Sequence, residues 1–169
     1  MLFSIYRDQK KDNEAALKLA KELVAKYPNN SEYPKFELDM YIKMNRLPEA
    51  KAVMEKQAAA DPNDKESRYY LGVISSELKQ PEEARKWYEA AIKIDSKYFE
   101  PQLGLAEIVY LDAKKIKDEM NQLGNSKEDF NKKVAMDKQY QEKLKVALPY
   151  WEQCEKLSPD ESKVLDVLY

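Results

Sequence analysis

Lys65-Glu66-Ser67-Arg68-Tyr69-Tyr70-Leu71-Gly72-Val73-Ile74-Ser75-Ser76 is followed, from Pro81, by Pro81-Glu82-Glu83-Ala84-Arg85-Lys86-Trp87-Tyr88-Glu89-Ala90-Ala91, and these two runs decide the fold. Each places apolar residues three and four apart, the period of a helix buried along one face. Gly72, Ala84 and Ala91 are small where two helices have to approach closely, and Leu71, Trp87 and Tyr88 are large enough to fill the space around them. A single pair of this kind cannot bury its apolar face alone. It needs neighbours built on the same plan.

The neighbours are present. Ala16, Ala50 and Ala84 recur every 34 residues, and so do Pro28, Pro62 and Ser96, each just past a helical run. Proline punctuation sets the element boundaries. Its ring tolerates the first turn of a helix and the residues after its end, and it breaks a helix interior. Seven of the eight prolines obey this rule. The spacing predicts helices over 2–10, 13–26, 32–45, 48–60, 65–79, 82–94, 99–122, 127–157 and 162–169, with no strand. Pro149 is the exception. It lies inside a strongly helical run, where its ring opposes the Lys145 carbonyl and predicts a kink.

The unit from Lys65 to Tyr98 reads Arg68-x2-Leu71-Gly72-x2-Ser75, then Ala84-x3-Tyr88-x2-Ala91, then Ser96. It resembles the tetratricopeptide pattern W-x2-L-G-x2-Y…A-x3-F…P, with Arg68, Ser75 and Ser96 in place of Trp, Tyr and Pro. The preceding unit keeps Leu38, Tyr41, Ala50, Met54 and Pro62; the first keeps Ala16, Ala20, Leu23 and Pro28. The fourth opens with Leu105, Ala106 and Val109 and resumes at Ala147, Trp151, Cys154 and Pro159. The resemblance implies an all-α fold: a right-handed superhelix, or α-solenoid, of helix-turn-helix pairs. It implies one array over residues 1–169, with a truncated repeat 1–30, repeats 31–64, 65–98 and 99–161, and the start of a further helix at 162–169.

Ser96 to Pro159 spans 63 residues, 29 more than one repeat. The added residues do not read as a loop. Val109, Ala113, Ile116, Met120 and Leu123 keep helical spacing, and so do Met136, Tyr140, Leu144, Ala147, Trp151 and Cys154, with Phe130 and Val134 on a neighbouring stripe. Gly124-Asn125 is a helix stop, and Ser126 is a helix N-cap followed by acidic Glu128 and Asp129. The fourth repeat is therefore expected to carry one extended antiparallel hairpin. A similar elongated pair occurs in some bacterial envelope-associated tetratricopeptide proteins, and Lys145-Val146-Ala147-Leu148-Pro149-Tyr150 resembles a run in their second helix.

Composition excludes several functions. The chain has no histidine, three scattered glycines and one cysteine. Histidine-based catalytic triads, phosphate-cradling glycine loops and cysteine-rich zinc sites are thereby excluded. The 29 Lys and Arg nearly balance the 31 Asp and Glu, so no basic field serves a nucleic-acid backbone. No run is long and apolar enough to enter a bilayer directly. The expectation is a non-catalytic protein with no cofactor and no metal. Its compartment is left open: cytoplasm, or a bacterial periplasm or envelope if an upstream signal were removed.

In arrays of the family resembled, the first helix of each pair lines the concave surface. The matching positions here are Lys35, Asp39 and Ile42; Tyr69, Val73 and Ser76; and Leu103, Glu107 and Tyr110. The resemblance implies that these residues hold a protein or peptide segment; Tyr69 and Tyr110 serve equally to shield seams between helices. A second reading gives the long hairpin to self-assembly, which leaves a homo-oligomer open, and a third makes the chain an ancillary region of a larger protein. One subclass of the family grips a C-terminal carboxylate with a Lys/Asn/Asn/Lys/Arg clamp. Lys35 matches its first lysine, but Asp39, Tyr70, Glu100 and Gly104 occupy the other places, and Asp39 and Glu100 would repel the ligand. Cys154 stands at the small core position equivalent to Ala91 and is expected to be buried.

Overall fold

In the computed structural model, residues 12–28 and 30–159 are described. Among them there are seven helices and no strand: α1 (Asn13–Lys26), α2 (Glu32–Lys43), α3 (Leu47–Ala60), α4 (Lys65–Glu77), α5 (Pro81–Ile94), α6 (Phe99–Gln122) and α7 (Lys127–Leu157). The expected helices at 2–10 and 162–169, with the ends of the array they belong to, lie outside the described residues. The described helices fall into two compact units, and the chain divides between Ile94 and Asp95.

In the first unit, consecutive helices pack as neighbours from α1 to α5. Ala16, Ala50 and Ala84, the residues of the 34-residue repeat, are each completely buried. Met40, Met54, Leu71 and Ile74 fill the interior between them. Gly72 explains its own place in the pattern: a Cβ built there would overlap the Tyr88 ring. Arg68, standing where the repeat pattern has Trp, spends its guanidinium on backbone carbonyls. It donates to Asp64 at 2.7 Å, Asp61 at 3.3 Å and Ala58 at 3.4 Å, closing the end of α3 onto the start of α4. Ser75, in place of Tyr, is fully buried with an unpaired hydroxyl.

The α2–α3 and α4–α5 turns share one construction, 34 residues apart. The Asn45 amide donates to Ile42 and the Arg46 amide reaches back five residues to the Tyr41 carbonyl at 2.8 Å. Lys79 donates to Ser76, and Gln80 reaches Ser75 at 2.9 Å. Both turns pivot on a left-handed residue, Asn45 at φ 55° and Lys79 at φ 60°. This is the helix-ending closure in which a left-handed residue turns the chain and later amides satisfy the last carbonyls.

In the second unit, α6 and α7 form the extended hairpin. Its antiparallel sense is fixed by three contacts: Tyr110 with Trp151, Asp112 with Lys143, and Lys117 over Tyr140. The tip is capped by Ser126, whose hydroxyl accepts the Asp129 amide at 3.1 Å and donates to the Asp129 carboxylate at 2.8 Å. Lys133 donates to the Gly124 carbonyl at 3.0 Å. α7 runs on through Pro149, which lies on the exposed side of the helix together with Lys145, the residue whose carbonyl loses its helical donor to the proline.

Two stability predictions follow from this packing. Gly72→Ala gains about 1 kcal/mol of helix propensity but forces the buried Tyr88 ring out of place, at a cost of about 1–3 kcal/mol. A net loss of up to about 2 kcal/mol is expected in urea titration, and a variant more stable than the parent would refute the close approach. Lys79→Gly relieves a left-handed side chain worth about 1–2 kcal/mol, offset by about 0.5–1 kcal/mol of added unfolded-state freedom. A gain of up to about 1.5 kcal/mol is expected by the same titration, and a loss would show that Lys79 is unstrained.

Candidate partner-binding surface

The face of α2 that carries Lys35, Asp39 and Ile42 lies beside the face of α4 that carries Tyr69, Val73 and Ser76. An ion pair joins them, Lys35 Nζ to Glu66 at 2.7 Å, with Glu66 one turn ahead of Tyr69. Lys35 also reaches Glu32 at 3.1 Å. The hydrogen bond that the Lys35 ammonium donates to Glu66 is the main cause that pushes it up to about 12, against the opposing cost of burial. Asp39 pairs with Lys43 one turn on, at 3.2 Å. This face of the first unit is therefore charge-compensated. A carboxylate ligand arriving at Lys35 has to displace two carboxylates already there.

Between these charges lies apolar and aromatic surface. Ile42 is 42% exposed on a helix whose opposite side is core. Tyr69 is half-buried, 5.3 Å from the Tyr70 ring and 6.2 Å from Tyr88, so it closes the α4–α5 seam while leaving part of its ring on the surface. Val73 and Ser76 are half-buried beside it. A cavity of about 310 Å³ opens at the start of these helices, lined by Lys35, Gln57, Asp64, Glu66 and Tyr70 among others. Glu66 is the contributor that the repeat positions missed. Its spacing of three from Tyr69 was the available signal.

Lys51 reaches Glu83 at 2.7 Å and joins α3 to α5. Successive helix pairs are thus tied twice, α2 to α4 and α3 to α5, although partly exposed pairs of this kind contribute only about 0–1 kcal/mol each.

In the second unit, Leu103, Glu107 and Tyr110 are half-buried on α6. Tyr110 packs edge-on against Trp151 at 6.0 Å. Glu107 lies near enough to Cys154 to act on its thiol. Tyr110 therefore closes the α6–α7 seam, as Tyr69 closes its own, and Leu103 carries the apolar part of the stripe. Among the described residues, no group of three or more acidic or cysteine side chains converges as a metal site, and no helix is long and apolar enough to cross a membrane.

Residues 39–99 match the tetratricopeptide repeat family. No curated protein matches the chain. Among solved structures, a crystal structure of MamA is 16% identical, with 99% of this chain aligned to 94% of that one at a TM-score of 0.59. MamA from Desulfovibrio magneticus RS-1, residue 41 to its end, is 18% identical over 78% of this chain and 70% of that one, at 0.53. A putative protein binding protein from Bacteroides ovatus ATCC 8483 is 14% identical over 95% and 88%, at 0.64. At these identities the likeness is one of fold, and the fold is the tetratricopeptide helical repeat.

Cys154 is completely buried, as its repeat position implied. Burial first, and the charge of Glu107 second, push its thiol up to about 11. The unfolded thiol ionises near its ordinary value, so the folded state is favoured below about pH 8.5 and loses this contribution between there and about pH 11. The folded protein should resist thiol reagents at pH 8 and react once unfolded in urea. Rapid labelling of the folded chain would contradict the burial.

Proposed function

We propose that this chain is a non-catalytic scaffold that holds a segment of another protein against the exposed faces of its first helices. In the first unit the contact residues are Lys35, Asp39, Ile42, Tyr69, Val73 and Ser76; in the second they are Leu103, Glu107 and Tyr110. The observation that carries this reading is the exposed Ile42 on the face joined by Lys35 and Glu66 to the half-buried Tyr69 and Val73. Partly exposed apolar and aromatic groups beside neutralised charges suit a ligand recognised by shape and apolar contact. Net charge selects no partner here, because Lys35 and Asp39 are already paired. The tetratricopeptide repeats at 39–99 support a protein ligand, since that repeat is generally an interaction fold.

Tyr69 and Tyr110 also pack seams, so truncating them alters stability together with binding. Ile42 and Val73 separate the two effects. A photo-crosslinking residue placed at position 42 or 73 of the chain in its native cell is expected to give a discrete adduct with one other protein. The same residue at exposed Lys56 should not give it. Ile42→Asp and Val73→Asp should each reduce recovery of that partner about tenfold or more with unchanged helical circular dichroism. Equal adducts from all three positions, or recovery unaffected by either aspartate, would remove this face from consideration.

A further inference from the structure

The distal part of the α6–α7 hairpin contains no fully buried side chain between Lys114 and Val146. Ile116, Met120, Met136, Tyr140 and Leu144 form its seam and are only half-buried. Two helices alone share one seam, and each keeps a second apolar edge in water. On α7 that edge is Phe130, 65% exposed, and Val134, 58% exposed, the two most exposed large apolar side chains among the described residues. They are one turn apart on the same side of the helix.

Lys127 lies one turn before Phe130, and Asp137 one turn after Val134. At about 100° per residue all four side chains fall within an arc of about 80°. Neither Lys127 nor Asp137 has an ion-pair partner among the described residues, although Glu128 and Lys132 beside them pair with one another at 3.1 Å. Read along α7, the edge is cation, apolar, apolar, anion. Read backwards, it is its own complement.

We infer that this edge docks with a second copy of the chain, antiparallel about a two-fold axis near Lys132. Phe130 of one copy then meets Val134 of the other, and Lys127 meets Asp137, each contact made twice. The spacing of three, four and three is that of a helical packing seam, in which an antiparallel pair matches alternate layers in this way. A two-fold contact has to be self-complementary, and this edge is so in shape and in charge. The two half-buried seams become parts of a four-helix layer. The surface is separate from the first-helix faces assigned to a partner protein, and failure of either assignment leaves the other standing.

The whole chain is tested by sedimentation equilibrium from about 10 µM to about 1 mM, the range suited to a small contact. The mass is expected to rise from 19.8 kDa toward twice that value. Phe130→Asp should hold the chain at the monomer mass with its helical content intact. Lys127→Glu and Asp137→Lys should each do the same, because like charges then face one another twice. Mixing those two variants should restore the dimer, since both pairs are then opposite in sign. A parent chain that stays monomeric throughout the range overturns the proposal and gives the edge to another occupant. A dimer that survives Phe130→Asp, or a mixture that stays monomeric, overturns it as well.

Discussion

The nearness of the Gly72 backbone to the Tyr88 ring sets how closely α4 and α5 lie, and the packing around that pair follows from the spacing. A buried aromatic ring covers the place where a side chain would stand. Because the two helices are close, Leu71 and Ile74 on one and Ala84 and Ala91 on the other are sealed from water. Ala16 and Ala50 occupy the same place in the earlier pairs and are equally buried. Burial of apolar surface drives the assembly, but it acts only where backbones come close enough to leave no void. Small residues at a fixed interval are therefore the constraint that the rest of the first unit obeys.

That constraint was legible because it is written in residue size. The 34-residue interval of alanines and the prolines at helix starts and ends locate the seven described helices to within about two residues. The Ser126 cap and the Gly124 stop locate the hairpin tip in the same way. What stayed hidden depends on geometry rather than on residue type. Lys79 carries no turn signal, yet it takes the left-handed conformation that Asn45, a residue suited to it, takes one repeat earlier. Arg68 departs from the pattern's tryptophan, and only its three carbonyl partners show that it closes the end of α3. The candidate contact residues were identifiable by repeat position. Their surroundings were not: the spacing that puts Glu66 one turn from Tyr69 does not say that it holds Lys35, and it does not name the rings on which Tyr69 and Tyr110 lean.

Those surroundings change the chemistry that the first-helix faces offer. A free lysine would favour an acidic ligand through charge. Lys35, bonded to Glu66 and Glu32, offers its hydrocarbon stem and a fixed, compensated head instead. Tyr69 and Tyr110, pinned by neighbouring rings, lose little freedom when a ligand covers them, which lowers the entropic cost of contact. For the protein segment proposed above, selection by such a surface would rest on fit, with mismatched segments rejected by voids and unpaired groups rather than by repulsion.

The hairpin follows a different logic from the repeats. Near its base, Ala106, Val109 and Ala113 on α6 and Ala147, Trp151 and Cys154 on α7 are buried, so the two helices hold one another by packing. Toward the tip, burial falls, and the helices depend on local terms: the Ser126 cap, the Glu128–Lys132 pair and the Lys133 bond to Gly124. Such terms contribute a few tenths to about 1 kcal/mol each, much less than a packed seam. Opening free energies follow burial, so the tip opens more readily than the base. A contact that buried the outer edge of α7 would raise the tip toward the stability of the base. The length of the hairpin is then useful only if something covers it, because an uncovered arm adds chain to be ordered without adding core to order it.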